Sequence, residues 1–124
     1  MQQILIDACG WVACINASFN IDVECSRLLG SYRWLVLENV LNELENIQTQ
    51  NPKPNLLLGL LKQQALIVAT SDNRHTDDIL IEYAHQHNTY VLTVDVELKR
   101  RLFELNIPLL EVHQSKKLVL IDSL

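Results

Sequence analysis

The sequence is poor in the residues that interrupt regular structure, with three glycines and three prolines among 124 residues. That scarcity excludes collagen-like, low-complexity and linker-dominated chains. Cysteine is equally sparse: Cys9, Cys14 and Cys25 are all there is. An odd set of thiols, with gaps that fit no zinc pattern, excludes a disulfide framework and a structural zinc site. They are expected as small, partly buried thiols of a reducing compartment. Long apolar runs are missing too. Stretches such as residues 66–69 and 118–121 are far too short to span a bilayer. The opening Met1-Gln2-Gln3 leads into Ile4-Leu5-Ile6 and reads as a strand, not an export signal. A cytoplasmic protein without membrane association is therefore expected. Basic charge is also in short supply, since 10 Lys and Arg face 15 Asp and Glu, for a net charge of −5. A protein that coats nucleic acid by neutralising phosphates would be basic. An enzyme whose bound cations offset an acidic cluster remains open.

What the chain does contain is apolar material in short, regular pieces, 48% hydrophobic and 20% charged overall. Its length suits a single domain, residues 1–124, large enough to bury a core. Residues 4–8, 34–37, 66–69, 90–94 and 109–112 read as strands, and 118–121 as a last short strand at an edge. Helical periodicity covers 11–19, 22–29, 38–48, 56–64, 77–86 and 96–105. Asp22 and Thr76 suit helix N-caps, and Gly30 a stop. The leucine-rich segment 56–64 is expected to be buried around much of its circumference. Pro52 and Pro54 make 51–55 a loop, and 70–74 is a polar connection. Strands separated by helices of this length predict an α/β domain: a three-layer α/β/α arrangement around a central parallel sheet.

In such sheets functional groups gather outside the carboxyl ends of the strands, near the point where strand order switches. Asp7 sits near the end of the first strand and Asp95 directly after the fourth. Asp77 and Asp78 open the helix that leads into the fourth strand, and Glu43 lies in the second turn of the helix after the second. Acids from separate places thus converge on one rim. Each has a plainer reading: Asp95 as an N-cap, Asp77 as a charge favoured by the helix dipole, Glu43 as a solvated helix residue. Asp7 is harder to explain away, because a carboxylate in an apolar strand is expensive without a partner. Crowded carboxylates repel, and one or more takes up a proton unless a cation sits among them. Hard cations, Mg2+ or Mn2+, suit carboxylate oxygens. A cation with few protein ligands keeps bound waters, one of which can act as a nucleophile on a phosphodiester.

These residues carry a family resemblance. An apolar strand ending in Asp7, then Val40-Leu41-Asn42-Glu43-Leu44, Thr76-Asp77-Asp78-Ile79-Leu80 and Leu92-Thr93-Val94-Asp95 running into Leu98-Lys99-Arg100-Arg101-Leu102 resemble the PIN-domain ribonucleases. The segment from Asp77 to Arg101, closed by Ile107-Pro108, is most similar to the archaeal and ribosome-processing branch. The resemblance implies strand order 3-2-1-4-5 and a Mg2+- or Mn2+-dependent endoribonuclease acting on single-stranded RNA. Its role is either that of a toxin with an antitoxin partner or that of a ribosome-assembly nuclease. Asp7, Glu43, Asp77 and Asp95 match the family's acidic positions as catalytic and metal-holding residues, with Asp78 as the reserve ligand. Thr93 matches a supporting hydroxyl two places before the last acid. Cys9 stands where the family has Asn or Ser, and a thiol there is expected to weaken metal affinity. The alternative is a catalytically weak scaffold that binds RNA or protein.

Arg74, Lys99, Arg100 and Arg101 are candidates for meeting RNA phosphates, although a solvated basic face explains any one of them. Trp11 can stack a base, while core packing is the simpler account. His75, His85, His87 and His113 are scattered and read as surface residues. A homodimer through the leucine-rich helix and exposed aromatics is also compatible with the pattern.

Overall fold

A computed structural model describes residues 1–51, 55–70, 74–113 and 117–122. The sheet is built from β1 (Gln2–Ile6), β2 (Tyr32–Leu37), β3 (Leu66–Val68), β4 (Tyr90–Leu92), β5 (Leu109–His113) and β6 (Lys117–Ile121). Their order is β3-β2-β1-β4-β5-β6, with the first five parallel and β6 antiparallel on β5. The helices are α1 (Ala8–Ala17), α2 (Ile21–Leu29), α3 (Glu38–Gln50), α4 (Leu58–Gln64), α5 (Thr76–His87) and α6 (Val96–Glu104). They cover both sides of the sheet. The order 3-2-1-4-5 is that implied by the family resemblance, and β6 lies at the sheet edge, where a last short strand is expected.

The central strands form because they are apolar on both faces, as strands covered from both sides must be. Ile4, Leu5 and Ile6 of β1, and Leu35, Val36 and Leu37 of β2, are fully buried. Trp11 belongs to this core rather than to a binding surface. It is fully buried, meets Trp34 edge-on at 5.3 Å, and donates its indole N–H to Leu56 O at 2.7 Å. Cys14 and Cys25 are buried as well, and burial pushes the Cys14 thiol up to about 12 and that of Cys25 up to about 11.

Several boundaries depart from expectation. α2 is capped by Asn20, whose Oδ1 accepts from the Val23 N–H at 3.1 Å, so Asp22 lies inside the first turn. α5 is capped by His75 through the Asp77 N–H, and Thr76 is its first helical residue. β4 stops at Leu92, two residues early. Thr93 still donates its N–H to Leu110 O at 3.2 Å, but its side chain turns to Asp7. The leucine-rich helix is less buried than its composition suggests. Leu56 and Leu61 are buried and Leu58 and Leu60 partly so, while Leu57 is 40% exposed with a left-handed φ of 50°. The helix packs on β2 and leads into β3, an edge strand with Leu66 and Ile67 about half exposed. The loop expected at 51–55 and the connection at 70–74 fall partly outside the described residues. Among the described residues, no helix is long and apolar enough to cross a membrane.

Candidate functional site

β1 lies between β2 and β4, and the chain leaves it toward β2 before returning to β4 on the other side. That reversal opens a crevice at the carboxyl ends of β1 and β4, where Asp7 stands. The Asp7 N–H continues the pairing by donating to Leu92 O at 3.0 Å. α1 then begins at Ala8 with Asp7 in the N-cap position, yet the Asp7 side chain makes no cap hydrogen bond. It turns across to β4 instead. Its Oδ2 accepts from Thr93 Oγ at 2.8 Å and from the Cys9 thiol at 3.0 Å. Thr93 Oγ also accepts from the Asp95 N–H at 3.1 Å and lies 3.4 Å from Cys9 Sγ. One buried hydroxyl therefore fixes both the Asp7 carboxylate and the backbone that carries Asp95.

Asp95 caps α6, its Oδ1 accepting from the Leu98 N–H at 2.8 Å. The plain capping account and a place in the site thus hold together, because a carboxylate has lone pairs to spare. Asp7, Glu43, Asp77 and Asp95 all line one pocket of about 380 Å³, with Cys9, Asn39 and His75. Burial, then Asp7, then Asp77, raises the Glu43 carboxyl above the ordinary carboxylate range. Burial, then Asp7 and Asp95, raise Asp77, against opposing pulls from His75 and Arg101. Carboxyls whose charges resist one another in this way create the local deficit that a cation relieves.

The residue types suit a hard cation, but their placement is open. Among the described residues, no three His, Cys, Asp or Glu side chains close on one point at ligand spacing. That donor set fits Mg2+ or Mn2+ held by one or two carboxylates with the remaining positions left to water. It does not fit a closed cage.

Asp78 is not part of the pocket. Consecutive residues in a helix diverge by about 100°, and Asp78 faces α6, where Arg101 donates to its Oδ1 at 2.6 Å. That hydrogen bond and charge hold the Asp78 carboxyl below its usual value. The reserve metal ligand is therefore an ion-pair partner. The other basic candidates also have carboxylate partners: Arg74 with Glu82, Lys99 with Glu111, and Arg100 with Glu97 and Glu104. His85, His87 and His113 are exposed, and His113 contacts Glu111.

Two pocket residues escape a reading of the sequence. Asn39 stands one turn before Glu43 on the same face of α3, and its Oδ1 accepts from Thr70 Oγ at 2.7 Å. The i, i+4 spacing from Glu43 would have found it. His75 is exposed, as expected, yet its role as the α5 cap brings it to the pocket wall.

Two results follow from this geometry. Thr93→Val keeps the volume but strips a donor from Asp7 and an acceptor from the Asp95 N–H. Urea unfolding should show a loss of about 1–3 kcal/mol. The second concerns pH. A carboxyl with a raised pKa in the fold holds its proton where the unfolded chain has released it, so stability falls as pH rises through that window. The lowered carboxyls, Asp78 among them, act on the acid side of the ordinary range, where stability is instead lost as pH falls. In EDTA, the Tm of the protein should therefore decline above the ordinary carboxylate range, and Asp77→Asn should flatten that decline. Identical slopes would mean that Asp77 contributes nothing to it.

Comparison with known proteins identifies the family to which this fold belongs. Over 125 aligned residues the chain is 30% identical to Ribonuclease VapC4 of Methanocaldococcus jannaschii, covering 94% of each protein. Its fold is similar to that of the PIN domain endonuclease Utp24, with a TM-score of 0.82 at 20% identity, over 97% of this chain and 91% of that one. A family model described as a PIN-like domain matches residues 4–115, and the chain belongs to that family.

Proposed function

We propose that the chain is a Mg2+- or Mn2+-dependent endoribonuclease that hydrolyses phosphodiester bonds of single-stranded RNA. It serves either as the toxin of a toxin–antitoxin pair or in ribosomal RNA processing. The observation that carries this reading is the convergence of Asp7, Glu43, Asp77 and Asp95 on one pocket, with Glu43 and Asp77 raised by burial and by the neighbouring acids. The similarity to a ribonuclease over nearly the whole chain supports it.

Asp7 and Asp95 would hold the cation, with Glu43 and Asp77 completing the acidic wall. When bound, the cation supplies Lewis acidity that lowers the pKa of water and offsets charge on the phosphodiester. The chain's own residues position these groups. Thr93 and Cys9 occupy Oδ2 of Asp7, leaving its other oxygen to the pocket. The Leu98 N–H fixes the rotamer of Asp95. Cys9, expected to be a poor stand-in for an amide or hydroxyl, does supply a hydrogen bond, although a thiol is a weak donor.

One observation favours the scaffold alternative: the acids share a pocket without closing on a point. Purified protein with Mn2+ and an unstructured fluorescent RNA separates the two. Cleavage that stops in EDTA and returns with Mn2+ supports the enzyme. RNA binding without any cleavage at saturating Mn2+ supports the scaffold.

A further inference from the structure

Asp78 and Arg101 are left over from the site, and their pairing is the most informative feature outside it. Asp77 and Asp78 are neighbours in the first turn of α5, but one faces the pocket and the other crosses to α6. Arg101 lies in the second turn of α6, and helical side chains lean toward the helix N-terminus. Its guanidinium accordingly leans toward the end of α6 that Asp95 caps. Its bond to Asp78, the chain neighbour of the pocket-lining Asp77, sets it beside the pocket. Lys99 and Arg100 point elsewhere, to Glu111 and to the flanking Glu97 and Glu104. Arg101 is the basic residue of α6 held beside a pocket acid. One of its nitrogens is taken by Asp78 at 2.6 Å, and its side chain is 35% exposed. A guanidinium has five N–H donors in a planar fork, so donors remain for a phosphate.

From this geometry we infer that Asp78 is a positioning residue: it holds Arg101 at the rim of the acidic pocket, where Arg101 binds a phosphate of the RNA strand. The inference rests on the nuclease reading above and gives its substrate a contact. It also answers an electrostatic problem, since a pocket with four carboxylates repels a polyanion unless a cationic group offsets part of that charge nearby. An ion pair across two helices fixes such a group more firmly than a lone flexible arginine would.

The test is steady-state cleavage of single-stranded RNA with Mn2+, together with RNA binding by fluorescence anisotropy in Ca2+, across a salt series. Arg101→Ala should weaken binding and raise KM by about three- to tenfold, the worth of one exposed charge-assisted hydrogen bond. Its loss should fall mainly on KM, and the log–log salt slope should shrink by about 0.7. Asp78→Ala should move KM and the salt slope the same way by a smaller factor, and add nothing to Arg101→Ala. Asp78→Asn, which still accepts a hydrogen bond from Arg101, should restore part of the loss.

An Asp78→Ala protein with lower Tm but unchanged KM would make the pair structural only and overturn the proposal. So would a fall in KM, which would mean that the carboxylate competes with RNA for Arg101. A loss of Mn2+ affinity matching that of Asp77→Asn would make Asp78 a ligand after all. Failure of the nuclease reading looks different: the unaltered protein would not cleave RNA at any Mn2+ concentration, and if it also failed to bind RNA, both conclusions would go together.

Discussion

Asp7→Asn should lower kcat for RNA cleavage about a thousandfold, roughly 4 kcal/mol of barrier, in a protein that remains folded. Asn has the shape of Asp and can still accept the hydrogen bond from Thr93 Oγ, so the contact between the ends of β1 and β4 survives. What disappears is a negative charge at the reversal point of the sheet. The same charge contributes to the raised carboxyls of Glu43 and Asp77, so the variant should also melt higher than the unaltered protein in EDTA. Gain of stability with loss of activity is the usual signature of an active-site charge held against repulsion. Asp95→Asn should behave alike, because Asn caps a helix about as well as Asp does. Single-turnover cleavage with saturating Mn2+ measures the first effect and a thermal melt the second. A variant that retained most of its activity would remove Asp7 from the chemistry.

Gly10→Ala should be among the most damaging single substitutions in the chain. A Cβ at Gly10 would lie 2.4 Å from Leu92 O, 2.7 Å from Leu92 C and 2.9 Å from Thr93 Cα. All three atoms are backbone, so no side-chain rotation relieves the clash. Either α1 lifts away from β4 or β4 distorts. Overpacking of that kind costs about 3 kcal/mol or more. The damage lands on the atoms that join Asp7 to Thr93, so metal affinity should fall with stability. Urea denaturation should show a lower midpoint, with a similar dependence on denaturant if unfolding stays two-state. Gly59, with open space around its Cβ position, provides the control.

The features readable in the sequence are those that burial imposes strongly. β1, β2 and β4 stand in the middle of a sheet covered on both sides, so apolar runs mark them without ambiguity. Asp7, directly after β1, and Asp95, a short step beyond β4, inherit that clarity. Less was legible where the decision belongs to tertiary neighbours. Asn20 and His75 cap their helices in place of Asp22 and Thr76, because the cap depends on where the chain enters the helix. Leu57, Leu66 and Ile67 look like core residues in sequence, but Leu57 caps α4 in a left-handed conformation and the other two lie in an edge strand. Asp77 and Asp78 are adjacent and chemically identical, and only the presence of Arg101 on α6 separates their roles. Asn39 reaches the pocket through a helical face that its neutral side chain did not advertise.

Everything functional here depends on whether the acidic pocket takes up a divalent cation through Asp7 and Asp95. Mn2+ titration followed by electron paramagnetic resonance measures this without any RNA, since free Mn2+ gives a six-line signal that fades on binding. The unaltered protein should bind saturably, more weakly as pH falls into the range where Glu43 and Asp77 hold their protons. Asp7→Asn and Asp95→Asn should each bind at least about tenfold more weakly. If both variants bound Mn2+ as tightly as the unaltered chain, the four acids would not form a metal site, and the account of catalysis would fail.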